Sequence, residues 1–221
     1  MATTVYSQTN GMDEDPAEQL FYHEAGLKAT WAGSRMTVGA LTFLFGAFVF
    51  AYFYLRSINA HGLWHPSGAP RPPGWAGTVI MALVVLSAVT QMISLQRIKA
   101  GNKAVWQRGA ATAMVLGLAA VGLQIFQLGD LKFPPGANGF DSVFTAFCPV
   151  YLTIALVVMI WLETLLVAGA RIPAAFFAAE PPTVDDTFTV QRFQARLSAF
   201  TVVWNYLAAI ALFFWVLFYL L

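Results

Sequence analysis

Charge is scarce in this chain. Asp, Glu, Lys and Arg make up 10% of its 221 residues, while 58% are hydrophobic; an ordinary soluble domain carries about 25% charge. A water-soluble globule of that composition would leave most of its surface apolar, so the chain reads as a membrane protein. The net charge of +1 offers no basic surface for a nucleic-acid partner. Cysteine occurs once, at Cys148 inside an apolar run, which excludes an internal disulfide and a cysteine-built metal cluster. Histidine occurs three times, at His23, His61 and His65, each outside the apolar runs. Haem or metal chemistry within a membrane needs imidazole or thiolate ligands. The chain is therefore expected to bind no haem, copper or other metal by itself. It also lacks a glycine-rich phosphate loop and a Ser/His/Asp set, so no catalytic residues are assigned. Residues 1–35 carry Asp13, Glu14, Asp15 and Glu18 where a cleavable signal would need basic and apolar segments, so the first apolar run is expected to be retained.

What is present is apolar length. Runs at about 36–55, 75–96, 109–128, 143–170 and 197–221 each approach or exceed the roughly 20 residues that cross a bilayer as a helix. The sequence predicts an all-α, polytopic membrane protein with five transmembrane helices. Its membrane domain covers 36–221, behind a polar or interfacial lead-in over 1–35. Within that lead-in a short helix from Leu20 toward Trp31 and Arg35 is expected to lie along the interface, with Phe21 and Tyr22 dipping in. The first loop holds Pro66, Pro70, Pro72 and Pro73 and should be extended and stiff, with His61 and His65 solvated in it. The longest loop is expected from about Arg171 to Arg196. Lys28, Arg35, Arg97, Lys99, Lys103, Arg108, Arg171, Arg192 and Arg196 fall on the side of the N-terminus, against Arg56, Arg71 and Lys132 on the other. That bias predicts a cytoplasmic N-terminus and a C-terminus outside.

The polar residues within the runs need an explanation. Tyr151, Ala155, Met159 and Glu163 recur every four residues of the fourth span, and a carboxylate in hydrocarbon costs about 2.5–3.5 kcal/mol on insertion scales. That ridge is expected to face protein. Gln91, Glu163 and Asn205 lie within about two turns of the cytoplasmic ends of three different spans and are expected to form one buried, structural polar cluster. Gln124, Gln127 and Tyr151 lie toward the outer ends of the third and fourth spans and offer a second. Two uses of such groups stand open: helix–helix glue, at about 0.6 kcal/mol per hydrogen bond, or a proton or ion pathway.

Several segments resemble subunit III of haem–copper (cytochrome c or quinol) terminal oxidases in its five-span bacterial form. AYFYLR (Ala51–Arg56) resembles the end of that family's first span. Leu86 through Thr90 and on to KAGN (Lys99–Asn102) is similar to the second span and its basic turn. LGLAAVGLQIFQL (Leu116–Leu128) resembles the third, with Gln124 on the family's glutamine. Gly139–Trp161 and Arg196–Leu220 can be laid on the fourth and fifth spans, with Trp204 and Tyr219–Leu220 matching. Gln124, Gln127, Tyr151 and Trp204 are thus the positions that align with the family. The departures are systematic: Leu41 stands where the family has a carboxylate, Tyr151 and Ile154 replace two histidines, Gln127 a glutamate, Asn205 a histidine and Ala208 an aspartate. They mark a divergent branch.

The resemblance implies a non-catalytic subunit of a respiratory oxidase in the bacterial inner membrane. It would be part of an oxidoreductase complex that reduces oxygen and pumps protons, stabilising subunit I (and II) and holding phospholipid, with haem and copper in the partner subunits. The alternatives are a subunit-III-like partner of a nitric oxide reductase, a small membrane transporter or channel, or an assembly factor.

Overall fold

The computed structural model describes residues 16–59, 62–177 and 183–221. Five long helices follow one another: α1 (Pro16–Ile58), α2 (Gly74–Lys99), α3 (Lys103–Gly129), α4 (Gly139–Arg171) and α5 (Val184–Tyr219), with a single 3₁₀ turn at Ala174–Phe177 before α5. All five are long and apolar enough to cross a membrane. No strand occurs among the described residues, so the chain is all-α with the architecture of a multi-pass membrane protein.

Several helix boundaries have a local cause. Asn102 accepts the Val105 amide (3.2 Å) at the start of α3, Asn138 the Asp141 amide (2.9 Å) at α4, and Thr183 the Asp186 amide (3.2 Å) at α5. These side chains satisfy amides that the helix itself leaves unpaired. Asp141, Asp185 and Asp186 sit in first turns, and Arg56, Arg97, Lys99 and Arg171 in last turns, each complementing the helix dipole. Lys103 donates to the carbonyls of Ala170 (3.2 Å) and Ile172, so the start of α3 caps the end of α4. Between α2 and α3 the chain reverses at Gly101 (φ +82°), where a side chain would strain the backbone and its Cβ would stand 2.7 Å from the Phe177 carbonyl oxygen.

Two helices exceed the predicted spans by more than ten residues. α1 runs unbroken through residue 36, so the lead-in from Pro16 is continuous with the first span rather than a separate interfacial helix. α5 begins at Val184, so the second half of the expected loop from Arg171 to Arg196 is helical. At 1.5 Å per residue α1 is about 64 Å long and α5 about 54 Å, far beyond a hydrocarbon layer of roughly 30 Å. The excess packs on itself. α1 and α5 run parallel in near-constant register: His23 meets Phe188, Gln191 and Arg192, Phe45 meets Phe214, and Tyr52 meets Leu217. The buried positions of α1 are His23, Ser34, Phe45 and Tyr52. Steps of eleven and seven residues are close to whole numbers of turns, so the fully buried positions form one narrow stripe, flanked by the partly buried Val38, Leu41, Phe48, Val49 and Leu55, and the far side of the helix is open.

The other four helices form the core. α2 packs against α3 and α5, α3 against α4, and α4 against α5, with α1 laid over α4 and α5. The chain runs through Pro149 without ending α4; a membrane helix tolerates such a break in its bonding where hydroxyls and neighbouring helices resatisfy the backbone. At Gly169 neighbouring rings pack directly on α4: a methyl there would overlap the rings of Trp106 and Phe193. Gly169→Ala should therefore lower stability by about 1–3 kcal/mol through overpacking. Gly122→Ala, at an open position of α3, should lower it little or not at all. Unfolding transitions of the two variants in the same detergent test the difference.

Candidate functional site

The interior of the bundle carries a seam of polar side chains between α2, α3, α4 and α5. In its middle Ser87, fully buried on α2, donates to the Ala113 carbonyl of α3 (2.6 Å) and accepts the Trp204 indole N–H of α5 (3.1 Å). One hydroxyl thereby joins three helices. Gly117 beside it makes room for Met159, whose sulfur a Cβ there would overlap. One level further along, Tyr151 on α4 donates to the Leu207 carbonyl of α5 (3.1 Å). At the end nearest the C-terminus, Gln124 Nε2 donates to Gln127 Oε1 (3.1 Å) and Gln127 Nε2 to Tyr219 Oη (2.8 Å). Tyr219 reaches over α2 because residue 77 is glycine; any Cβ there would sit inside its ring. Gln124, Gln127, Cys148, Tyr151 and Tyr219 line one cavity of about 40 Å³. A second, of about 10 Å³, shares Gln124 and Tyr151 with it and ends at Trp204.

The expected outer cluster of Gln124, Gln127 and Tyr151 is thus one site, and Trp204 closes its deep end. Tyr219 completes it, a partner 92 positions from Gln127 that no spacing rule connects. The expected cluster of Gln91, Glu163 and Asn205 does not form. Gln91 is fully buried with neither amide atom paired, Asn205 is half-buried, and Glu163 is exposed; no hydrogen bond or ion pair joins them among the described residues. The cause is helical geometry. A step of four residues overshoots one turn by about 40°, so a ridge that is inward at Tyr151, Ala155 and Met159 has rotated outward by Glu163. Its depth is also shallower than the sequence suggested. Trp161 meets Phe200 edge to face (5.5 Å) across the antiparallel α4/α5 pair, which puts Glu163 about level with Ser198 and within one turn of Arg196. There its carboxylate shares an open surface with Thr164 and Arg171, and Arg196 marks the same level as a charged rim.

Two further groups lie beyond the seam. At the end of the bundle where α1 begins, His23 is buried, stacked on Phe188 (4.0 Å between ring centres), with Nε2 donating to Gln191 (2.7 Å) and Nδ1 accepting from Arg192 Nε (3.3 Å). At the opposite end the loop after α1 is stitched to the start of α4. Phe140 N donates to the Trp64 carbonyl (3.1 Å), and the rings of Trp64 and His65 both pack on Phe140. His65 is accordingly half-buried rather than solvated, and His61 lies outside the described residues. Burial first, and the Arg71 charge second, hold His65 below the usual histidine range, against an upward pull from Asp141. Among the described residues no group of three or more His, Cys, Asp or Glu side chains is placed to hold a metal ion.

No protein-family model matches this chain, and a comparison with curated proteins finds no similar sequence.

Ser87→Ala removes the acceptor of a fully buried indole. The expected loss is about 1–3 kcal/mol, the cost of an unmet buried donor, rather than the ~0.6 kcal/mol of an average interhelical bond. Thr78→Ala, which frees the exposed indole of Trp215, should cost less, and unfolding in a common detergent compares the two. A second expectation concerns pH. With its folded pKa lowered from 6.5, His65 binds protons more weakly in the packed loop than in a loosened one. Loop packing is thus whole above about pH 6.5 and weakens as the pH falls through that value. Amide protection at residues 62–73, measured against the intrinsic exchange rate at each pH, should fall below it, and His65→Gln should abolish the dependence.

Proposed function

We propose that this chain is a non-catalytic, subunit-III-like component of a bacterial haem–copper terminal oxidase, held in the inner membrane with its N-terminus in the cytoplasm. The observation that carries the reading is the placement of the residues on which the resemblance rests. Gln124, Gln127, Tyr151 and Trp204 are all buried, and each bonds within the one interior seam or closes it. Positions that align with the family are thus those that determine how the helices pack, which supports a shared bundle rather than a chance likeness of apolar runs. The orientation rests on the excess of Lys and Arg at one end. The parallel extensions of α1 and α5 project at that end and carry Lys28 and Arg192.

In this reading haem and copper belong to partner subunits I and II, and this chain supplies packing surface and lipid contact. α1 suits such a role because it touches its own bundle along one stripe and presents Phe43 (85% exposed) and Phe50 (70%) outward. The interior polar groups act as glue. Ser87, Tyr151 and Tyr52 each spend their hydroxyl on a backbone carbonyl of a neighbouring helix, which ties helices together. A transporter would be distinguished by flux through the purified chain in liposomes.

The deciding experiment is purification in mild detergent through a tag on this chain. Haem absorbance should copurify in constant proportion, and the isolated polypeptide should show none. A solitary particle without haem, from cells expressing the oxidase, would overturn the proposal.

A further inference from the structure

We infer that the cavity between Gln124, Gln127 and Tyr219 is a water-binding site, reached from the C-terminal end of α5 and closed at Trp204. Two observations carry this. The first is unspent hydrogen-bonding capacity. Gln127 is 2% exposed, and of its two amide hydrogens one goes to Tyr219 Oη. Tyr219 accepts that bond, and its own hydroxyl proton has no acceptor among the described residues. A buried donor left unmet in an apolar bundle is costly, and water accepts two such donors while giving two of its own. The second is room. A water needs about 10–15 Å³ of space for its centre and two to four polar partners. The cavity offers about 40 Å³ beside the two glutamines and two tyrosines.

The shape gives the site a direction. Tyr219 is half-buried and stands at the mouth, while Gln124, Cys148 and Tyr151 lie inward of it, each under 10% exposed. Past Tyr151 the space narrows to about 10 Å³. There the Trp204 indole and the Ser87 hydroxyl satisfy each other and the Ala113 carbonyl. Water thus enters part of the way into the bundle and stops. The ligand is water alone, because the space admits nothing larger. The site is a hydrated crevice rather than a pore, and it does not depend on the identity of any partner subunit.

Cys148, the chain's single cysteine, lines this cavity and reports on it. Its S–H stretch falls in an infrared window clear of other protein bands and shifts on exchange to S–D. In purified full-length protein transferred to heavy water, the S–H band should convert within minutes. Gln127→Leu, which removes the central polar partner and fills the space, should slow conversion to hours. If that variant does not fold, Ala211→Leu, which narrows the same cavity without touching the hydrogen bonds, serves the comparison. A native S–H band that persists for hours would show a dry cavity and overturn the inference. Conversion equally fast in the native protein and the folded variant would also overturn it, since water would then reach the thiol by another route.

Discussion

The bundle depends on a seam of aromatic rings between α4 and α5. Phe147 stacks on Phe214 with ring centres 3.9 Å apart, and Phe45, Tyr151 and Phe218 close around that pair at 5.5–6.3 Å. Hydrocarbon surroundings remove the usual incentive to bury apolar surface, because lipid tails are as apolar as the side chains themselves. What remains is close packing and hydrogen bonding, and the seam provides the first. Its rings come from α1, α4 and α5, so the position of α1, which touches the bundle by so narrow a stripe, is fixed by the same contacts. Tyr52, on the next turns of that stripe, adds the second component by donating to the Leu217 carbonyl (2.8 Å).

The apolar runs were legible because bilayer thickness imposes a length that composition alone reveals. The ends of α1 and α5 were not, because hydropathy is blind to a helix that continues in polar sequence. On α1 the inward stripe changes from Phe45 and Tyr52 to Ser34 and His23 as it leaves the apolar region, so the partner of α5 at that end is an imidazole rather than a hydrocarbon. A signal for the start of α5 was nonetheless present. Thr183 followed by Asp185 and Asp186 is a capping residue with acids in the first turn, and it stands well before the apolar run begins. Capping chemistry located that boundary where hydrophobicity could not.

The candidate site divides in the same way. The glutamines three residues apart on α3 were readable as one face, and so was their nearness in depth to Tyr151. Tyr219 was not readable as their partner, because its approach depends on residue 77 of another helix being glycine. Glu163 was misplaced for a quantitative reason: a ridge of four-residue steps holds its direction for two steps and loses it by the third. The register of α4 against α5, fixed by Trp161 on Phe200 and Tyr151 on Leu207, sets its depth, and register is a tertiary fact.

Hydrogen bonds and ring packing are unevenly shared along the interior. Toward the C-terminal end, polar groups are joined across helices: Gln127 to Tyr219, Tyr151 to Leu207, Trp204 through Ser87 to Ala113. Toward the other end His23 is paired with Gln191 and Arg192, but deeper in the bundle some buried polar atoms stand alone. Both amide atoms of Gln91 and the indole nitrogen of Trp106 lack partners. An unmet amide costs about 1–3 kcal/mol, more than an average interhelical bond returns, so Gln91 weakens the contact between α2 and its neighbours. That end compensates by shape, with Trp106 set edge to face against Phe193 (5.3 Å) and Gly169 admitting both rings. Hydrogen bonds tolerate small displacements and re-form, whereas interlocked rings beside a glycine do not. Around Gly169 the bundle is thus held by interlocked rings alone, whereas toward the C-terminal end ring packing is joined by hydrogen bonds around a cavity.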